Sequence, residues 1–339
     1  PEICCHTLED LEVLNSRRNM PYKVDEEVRK SYEREIIPFW RGRTIRDMIF
    51  NSMPEEWKEA YEAGIFTEFM EQRPPGHTSG GERVFKTGVL DVLKEIDEVI
   101  GKLKEGDPEY YDKLEELKAM RIVAEAIVTY ARRYAEKLEE MAEREKDPKR
   151  KEELKQMAEI CRWVPAHPPR TFWEALQHYW FIHVGITYEA NGWDSFTPGR
   201  LDIHLYPFYK KDIEEGRLTR EKAKELLQAF FIKFNNQPAP PKVGVTAGQS
   251  FTYNDFAKIN IGGLKADGSN AVNELSYLIL EVYNELRLQQ PNLAVLVSVK
   301  NPDSFVEKAV EVLASARTGE PPFFNYDGIV IKKLREGKL

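Results

Sequence analysis

From about residue 219 to its end the chain switches hydrophobic period again and again, and few architectures accept that pattern. Thr219 to Phe234 has helical spacing, Phe256 to Ile261 alternates as a strand does, Ala271 to Leu288 is helical again, and Leu293 to Val299 reads as a second strand. Ser304-Phe305-Val306-Glu307 has the form of a capping box opening a helix to about Arg317, and Pro322–Asn325 and Ile329–Ile331 read as short strands. Helices alternating with strands imply an α/β core. The chain before this point reads differently. Glu26 to Ile37 is a charged amphipathic stretch, Arg41 to Trp57 carries apolar residues at helical spacing, and residues 89–160 form a long charged helical region broken at Asp107-Pro108 and Asp147-Pro148. Pro168-Pro169 followed by Thr171-Phe172-Trp173-Glu174 reads as a second capping box. The helix it opens, through Val184, is apolar nearly all round and therefore buried. The division expected is a mainly helical region over 1–218 that holds the pocket loops, then an alternating region over 219–339, together one truncated catalytic domain.

Composition narrows the function. The 339 residues suffice for one large domain or two ordinary ones, and 42% hydrophobic with 31% charged residues argues for a folded core. Lysine and arginine number 49 against 57 acids, so the net charge is 49 − 57 = −8. An overall field of that sign gives no attraction to nucleic acid or anionic lipid. No run of about 18 apolar residues is present, so no transmembrane helix is expected. The first residues, Pro1-Glu2-Ile3-Cys4-Cys5-His6, lack a signal-peptide pattern and an initiating methionine, and the chain reads as a fragment or a processed form. Three cysteines, Cys4, Cys5 and Cys161, fit a reducing cytoplasm better than a disulfide framework, and their spacing matches no zinc motif, so no metal is expected.

Phosphate-binding loops, a dinucleotide fingerprint and a nucleophile elbow are all missing, and Gly262-Gly263 after a strand is weak evidence taken alone. Two segments carry more chemistry. In Arg73-Pro74-Pro75-Gly76-His77 a rigid backbone flanks a cation and a titratable ring; Arg73 suits an anionic substrate group and His77 a hydrogen bond or proton near neutral pH. The plainer alternative is a structural loop. In Asn191-Gly192-Trp193-Asp194-Ser195 and on to Arg200-Leu201-Asp202, polar groups directly follow the most apolar helix. Asp194 and Ser195 suit a hydroxyl or ammonium, with Trp193 beside them; for Arg200 and Asp202 a structural ion pair is the favoured reading. His167, His178, His183 and His204 lie on or beside apolar stretches and read as satisfied structural histidines. His178 and His183, five apart, do not share a helix face as a metal pair would.

Several of these segments, in this order, resemble the glycyl radical enzymes, the family of pyruvate formate-lyase and the diol dehydratases. The matching stretches are Arg43-Thr44-Ile45-Arg46, Arg73 to Thr78, His167 to Gln177, Ser195 to Asp202 with Tyr206-Pro207, Ile261-Gly262-Gly263, and Leu288 to Leu293 with Lys300-Asn301-Pro302. They span essentially the whole chain. The resemblance implies a helical region leading into part of an α/β half-barrel. It also implies a glycyl radical near the C-terminus of the complete protein, installed by an activating enzyme that uses S-adenosylmethionine and an iron–sulfur cluster, and a thiyl cysteine with a neighbouring glutamate in a Gly-Cys-x-Glu loop. That loop is expected shortly after Leu339 and the radical glycine much later. Cys161 does not match the thiyl position, so this chain alone is expected to be inactive.

The activity the resemblance implies is a radical lyase or dehydratase that cleaves a C–O, C–N or C–S bond of a small polar substrate, in a homodimer of an oxygen-poor cytoplasm. Its pocket would be lined by Arg73, His77, Trp193, Asp194, Ser195 and Phe324. Two alternatives stay open. One is an acyltransferase of the formate C-acetyltransferase type or an arylacetate decarboxylase; the other is a non-catalytic scaffold or binding module.

Overall fold

The two Asp-Pro dipeptides divide the charged central region where the sequence says they should. In the computed structural model α6 spans Val89–Ile100, α7 Tyr110–Arg144 and α8 Pro148–Trp163. The structure describes residues 5–18, 21–66, 80–189, 197–236, 257–315, 323–326, 329, 332–333 and 336–337. Asp147 caps α8, its carboxylate accepting the N–H groups of Lys149 at 2.8 Å and Arg150 at 3.0 Å, while Pro148 gives up an N–H that the first turn would leave unbonded. α7 and α8 pack along a seam of small residues, Ala131, Ala135 and Ala142 against Leu154 and Ala158, with Leu138 between. The 4-3-4 spacing of the α7 positions is that of a coiled-coil stripe, and alanine there lets two backbones approach closely. Cys161 is buried in the same core. Its thiol is part of that packing.

The chain forms two compact units. One comprises Pro1–His77, Ile186–Phe196 and Ile232–Ala257, the other Thr78–Gly185, Thr197–Phe231 and Lys258–Leu339. In the first, α1 (Leu8–Ser16), α2 (Glu26–Ser31), α3 (Ile37–Trp40), α4 (Ile45–Ser52) and α5 (Glu55–Glu62) are short helices. The stretch read as one amphipathic element over 26–37 is α2 running through a π-helical turn, Tyr32–Ile36, into α3. Pro38 has no N–H to return to the preceding turn, which favours the wider turn at this point.

The second unit holds the sheet. Its four strands, β1 (Gly199–Arg200), β2 (Lys258–Gly262), β3 (Asn292–Val297) and β4 (Phe323–Tyr326), are parallel and lie in chain order. Helices intervene between successive strands: α10 (Leu201–Glu214) and α11 (Arg220–Asn236), then α12 (Glu274–Leu286), then α13 (Asp303–Ser315). Parallel strands in sequential order with helical crossovers are the repeating unit of an α/β barrel wall. The alternation read from the sequence is therefore the sheet. Ile259, Ile261, Leu293 and Val295, paired across β2 and β3, have no exposed surface.

The structure changes three local readings. α10 was not read at all, because Pro207 inside it is a strong local stop signal. The helix persists through the burial of Leu201, Leu205 and Tyr209. Ser304 is not a cap: α13 begins at Asp303, and the Ser304 hydroxyl meets the Tyr277 hydroxyl at 3.0 Å. Ile329 is helical, not extended. At the start of α9 (Phe172–Glu189) half of the expected capping box forms. Thr171 Oγ accepts the N–H of Glu174 at 3.2 Å, but the Glu174 carboxylate accepts the N–H of Arg170 at 2.7 Å and pairs with its guanidinium. The N–H of Phe172 goes instead to Asp212 of α10, at 2.7 Å.

Candidate active site

Arg73, His77, Trp193, Asp194 and Ser195 lie outside the described residues, while the residues that follow each of their segments are well defined. After the first segment comes Gly80, with φ +66°, where a Cβ would lie 2.5 Å from Val84 Cγ2. It opens a 3-10 helix, Gly81–Phe85. Phe85 is buried and stacks on two rings, Tyr179 at 5.9 Å and His204 at 5.4 Å between centroids. His178 of α9, also buried, interacts with the backbone of Val84 and His167; burial pulls its pKa down to about 4, so it is neutral at physiological pH. Burial likewise lowers the pKa of His204. Both pack around Phe85 and Val84, but they are not fully satisfied as expected: Nδ1 of each is buried with no hydrogen-bond partner among the described residues.

After the second segment comes Thr197, then β1. β1 has two residues and pairs only as Gly199 with Ile259 and Arg200 with Asn260. Side chains fasten it at both ends. Upstream, the Thr197 hydroxyl donates to the Lys258 carbonyl and accepts the N–H of Gly199 at 2.9 Å. Downstream, Arg200 donates to the carbonyls of Gly262 and Leu264, and Asp202 Oδ2 accepts the N–H of Gly262 at 2.7 Å and the hydroxyl of Ser276 at 2.6 Å. Arg200 and Asp202 are both structural, but each is bonded to the surroundings of the turn at the end of β2 rather than to the other in the expected ion pair. Asp202 is fully buried, and desolvation raises its pKa to about 6 against the lowering effects of Ser276, Gly262 and Arg200.

That turn is why the glycine pair is there. Gly262 has φ +78° and Gly263 φ +72°, and a Cβ on Gly262 would meet the Phe305 ring at 2.6 Å and the Leu296 carbonyl at 2.7 Å. The network continues to the end of β3. Asn301 Nδ2 donates to the Gly263 carbonyl and to Asn270 Oδ1, both at 2.8 Å, and its Oδ1 accepts the N–H of Ser298 at 2.7 Å. Asn273, the cap of α12, donates to the Asp202 carbonyl at 3.2 Å. Sequence reasoning missed Thr197, Ser276, Asn273 and Asn301 as parts of one network. Only Thr197 and Asn301 left a signal, by falling inside the motif stretches.

Phe324 lies in β4 opposite Val295, half-buried, on the face that the register shares with Ile261. In the first unit a cavity of about 830 Å³ lies beside α1, α3 and α4, bordered by Cys5, Val13, Trp40 and Arg46 among others. Its carboxylates Asp10 and Asp47 accept the N–H groups of Thr7 and Gly42, and burial pushes the Cys5 thiol pKa up. No cluster of three or more His, Cys, Asp or Glu able to hold a metal occurs among the described residues, and no helix among them is long and apolar enough to cross a membrane.

The family model for pyruvate formate lyase-like proteins matches residues 1–339. The chain belongs to that family. It is 51% identical over 342 residues to trans-4-hydroxy-L-proline dehydratase of Clostridioides difficile, covering 100% of this chain and 43% of that protein. It is 32% identical over 338 residues to isethionate sulfite-lyase of Nitratidesulfovibrio vulgaris, covering 96% and 41%. Among solved structures, hydroxyproline dehydratase of Clostridioides difficile with its substrate bound superposes with a TM-score of 0.91 at 50% identity, over 99% of this chain and 42% of that one. A glycyl radical enzyme of Archaeoglobus fulgidus gives 0.85 at 34% identity, over 98% and 42%. The family read from the motif stretches is the family found, and the half-barrel reading of the fold is that of these neighbours. The chain spans about two fifths of the length of these relatives.

Proposed function

We propose that the full-length protein is a glycyl radical dehydratase whose substrate is a small hydroxylated amino acid, of which trans-4-hydroxy-L-proline is the model. The observation that carries this is the 51% identity, over the whole chain, to a dehydratase of that compound. The candidate residues support it independently. Arg73 suits an anion, whereas Asp194 and Ser195 suit an ammonium or a hydroxyl, so a substrate that carries an anionic group together with an ammonium or hydroxyl is called for. An amino acid zwitterion satisfies both: Arg73 takes the carboxylate in a bidentate pair and Asp194 the ammonium. In this reading Ser195 offers a further hydrogen bond and Trp193 apolar surface. His77 is placed in this reading to donate a hydrogen bond to the departing hydroxyl.

The radical in the complete protein supplies hydrogen-atom abstraction. This chain's residues bind and orient the substrate, keep its charged ends paired and hold a proton for the leaving group. The reading includes a separate radical S-adenosylmethionine activating enzyme, a homodimer and a cytoplasmic, anaerobic setting. The test is an anaerobic assay of the full-length protein, activated by its partner enzyme, with trans-4-hydroxy-L-proline and, separately, isethionate. Dehydration of the first and inertness toward the second is the expected result. Sulfite release from isethionate with no dehydration of the amino acid would overturn the substrate class.

A further inference from the structure

We infer that the solvent face of α7 is the surface on which two copies of this chain meet, α7 lying against α7 in opposite directions; the inference rests on the homodimer included in the reading above. One stripe of α7 faces inward: Ala124, Val128, Ala131 and Ala135 are buried. Ile122, Ala126, Thr129 and Arg133 each precede one of these by two residues, about 200° around the helix, and so lie on the opposite side. All four are exposed, Ile122 at 66%. Carried toward the N-terminus, the same line passes through Ala119 and Glu115, also exposed, and its spacing from Glu115 to Arg133 is 4-3-4-3-4. That is the spacing of a seam along which one helix packs on another. The surface of α7 is otherwise dense in charge, yet this line carries none between Glu115 and Arg133. An uncharged centre bounded by charge is the anatomy of an interface.

The line is also complementary to itself. Taking residue 124 as the centre, Ile122 and Ala126 lie two residues to either side, Ala119 and Thr129 five, and Glu115 and Arg133 nine. A second α7, turned end over end about a two-fold axis at that point, brings the partner's Ala126 to Ile122, the partner's Thr129 to Ala119 and the partner's Arg133 to Glu115, and each contact occurs twice. Every layer is matched: a large apolar side chain against a small one, two small side chains together, an acid against a base. The alanines let the two backbones approach closely, and the charges at the ends fix the antiparallel direction. Arg133 has no ion-pair partner among the described residues, and Glu115 meets Lys118 only in an exposed pair at 2.7 Å, so both can serve a partner. A segment from elsewhere in the same protein needs no such symmetry in the surface it covers, whereas a second copy requires it.

The test is sedimentation of the full-length, unactivated protein over a dilution series, with the melting temperature of each variant measured alongside. The native protein should be a dimer. Ile122→Asp places a charge at the centre of the contact twice over and should raise the dimer dissociation constant about a hundredfold. Glu115→Arg sets arginine against arginine at both ends and should raise it about tenfold. Combining Glu115→Arg with Arg133→Glu makes the ends complementary again and should restore native dimerisation. Unchanged dimerisation in Ile122→Asp places the interface elsewhere, which overturns this inference and leaves the homodimer standing. A double reversal no better than Glu115→Arg alone overturns the antiparallel pairing of α7 with α7. A lowered melting temperature in Ile122→Asp with self-association intact assigns the stripe to packing against another part of the same protein, and overturns it too. A monomeric native protein overturns the homodimer and this inference together.

Discussion

The carboxylate of Asp202 and the backbone N–H of Gly262 meet at 2.7 Å, joining the first turn of α10 to a turn at the end of β2 that tolerates no side chain. A fully buried acid is thereby bound to a residue that has to be glycine, and each partner gives a separate measurable consequence.

The first concerns pH. The folded-state pKa of Asp202 is raised from 3.8 to about 6, so the folded protein holds this proton more tightly than the unfolded chain does. Its contribution to stability is full below pH 3.8 and is lost as pH rises through about 6. Asp202→Asn does not titrate. The stability of the native protein relative to Asp202→Asn should therefore fall between pH 4 and pH 6.5 and level off above, by an amount on the order of 2–3 kcal/mol at the plateau. Parallel melting curves of the two proteins across this range check it; a constant difference would show that Asp202 is not shifted.

His178 has the opposite sign in the same window. Burial lowers its pKa to about 4, so the unfolded chain takes up a proton, near pH 6.5, that the folded protein refuses. Its contribution is present above pH 6.5 and lost as pH falls through about 4. His178→Gln should lessen acid sensitivity between pH 6.5 and 4 relative to the native protein. Its imidazole resonances should show no titration from pH 8 down to pH 5.5.

Gly262→Ala and Gly216→Ala separate backbone strain from steric conflict. Both glycines have positive φ, +78° and +70°, but a Cβ at Gly216 meets nothing within 4 Å, whereas at Gly262 it meets Phe305 and the Leu296 carbonyl. Gly216→Ala should cost about 1 kcal/mol. Gly262→Ala should cost about 3 kcal/mol or more, since backbone and a buried ring would both have to move. Chemical denaturation of both variants measures the difference.

Asp212 and Glu139 both pair with arginines, yet they should differ in effect. Asp212 is 5% exposed, bonds Arg217 at 2.6 Å and accepts the Phe172 N–H that opens α9. Glu139 forms a two-pronged pair with Arg162 on an open surface, the two side chains 45% and 47% exposed. Asp212→Ala should cost about 2–3 kcal/mol, combining a lost cap with a broken, largely buried bond. Glu139→Ala should change stability far less than Asp212→Ala does, and that small effect should shrink further with salt.

Arg73→Ala tests the proposed pocket. In the activated full-length protein it should lower turnover on trans-4-hydroxy-L-proline by about a hundredfold or more, the loss of a bidentate carboxylate anchor, and leave the melting temperature nearly unchanged. A fall in melting temperature with modest kinetic change would return Arg73 to a structural role.

Local patterns were legible where one physical signal acted alone. The Asp-Pro breaks that bound α7 and α8, the strand–helix alternation of β2, α12, β3 and α13, and the burial of α9 all follow from hydrophobic period and proline stereochemistry, which no distant contact had to correct. α10 was not legible, because Pro207 speaks locally against a helix that distant burial sustains. Ser304 misled for the converse reason: its pattern suits a cap, but the chain is already helical at Asp303.

By itself the sequence determined the family, the α/β character of the second half, the helical character of the first and the residue types available to a polar pocket. These depend on order and spacing along the chain. Only the tertiary structure decided what Thr197, Arg200, Asp202, Ser276 and Asn301 do. Their partners lie far away in the chain except at the closest turns: Thr197 reaches Lys258, Asp202 reaches Gly262 and Ser276, and Asn301 reaches Gly263. A buried polar atom must find a partner wherever folding brings one, and that choice is made by the parallel register of β1, β2 and β3, which no local pattern encodes.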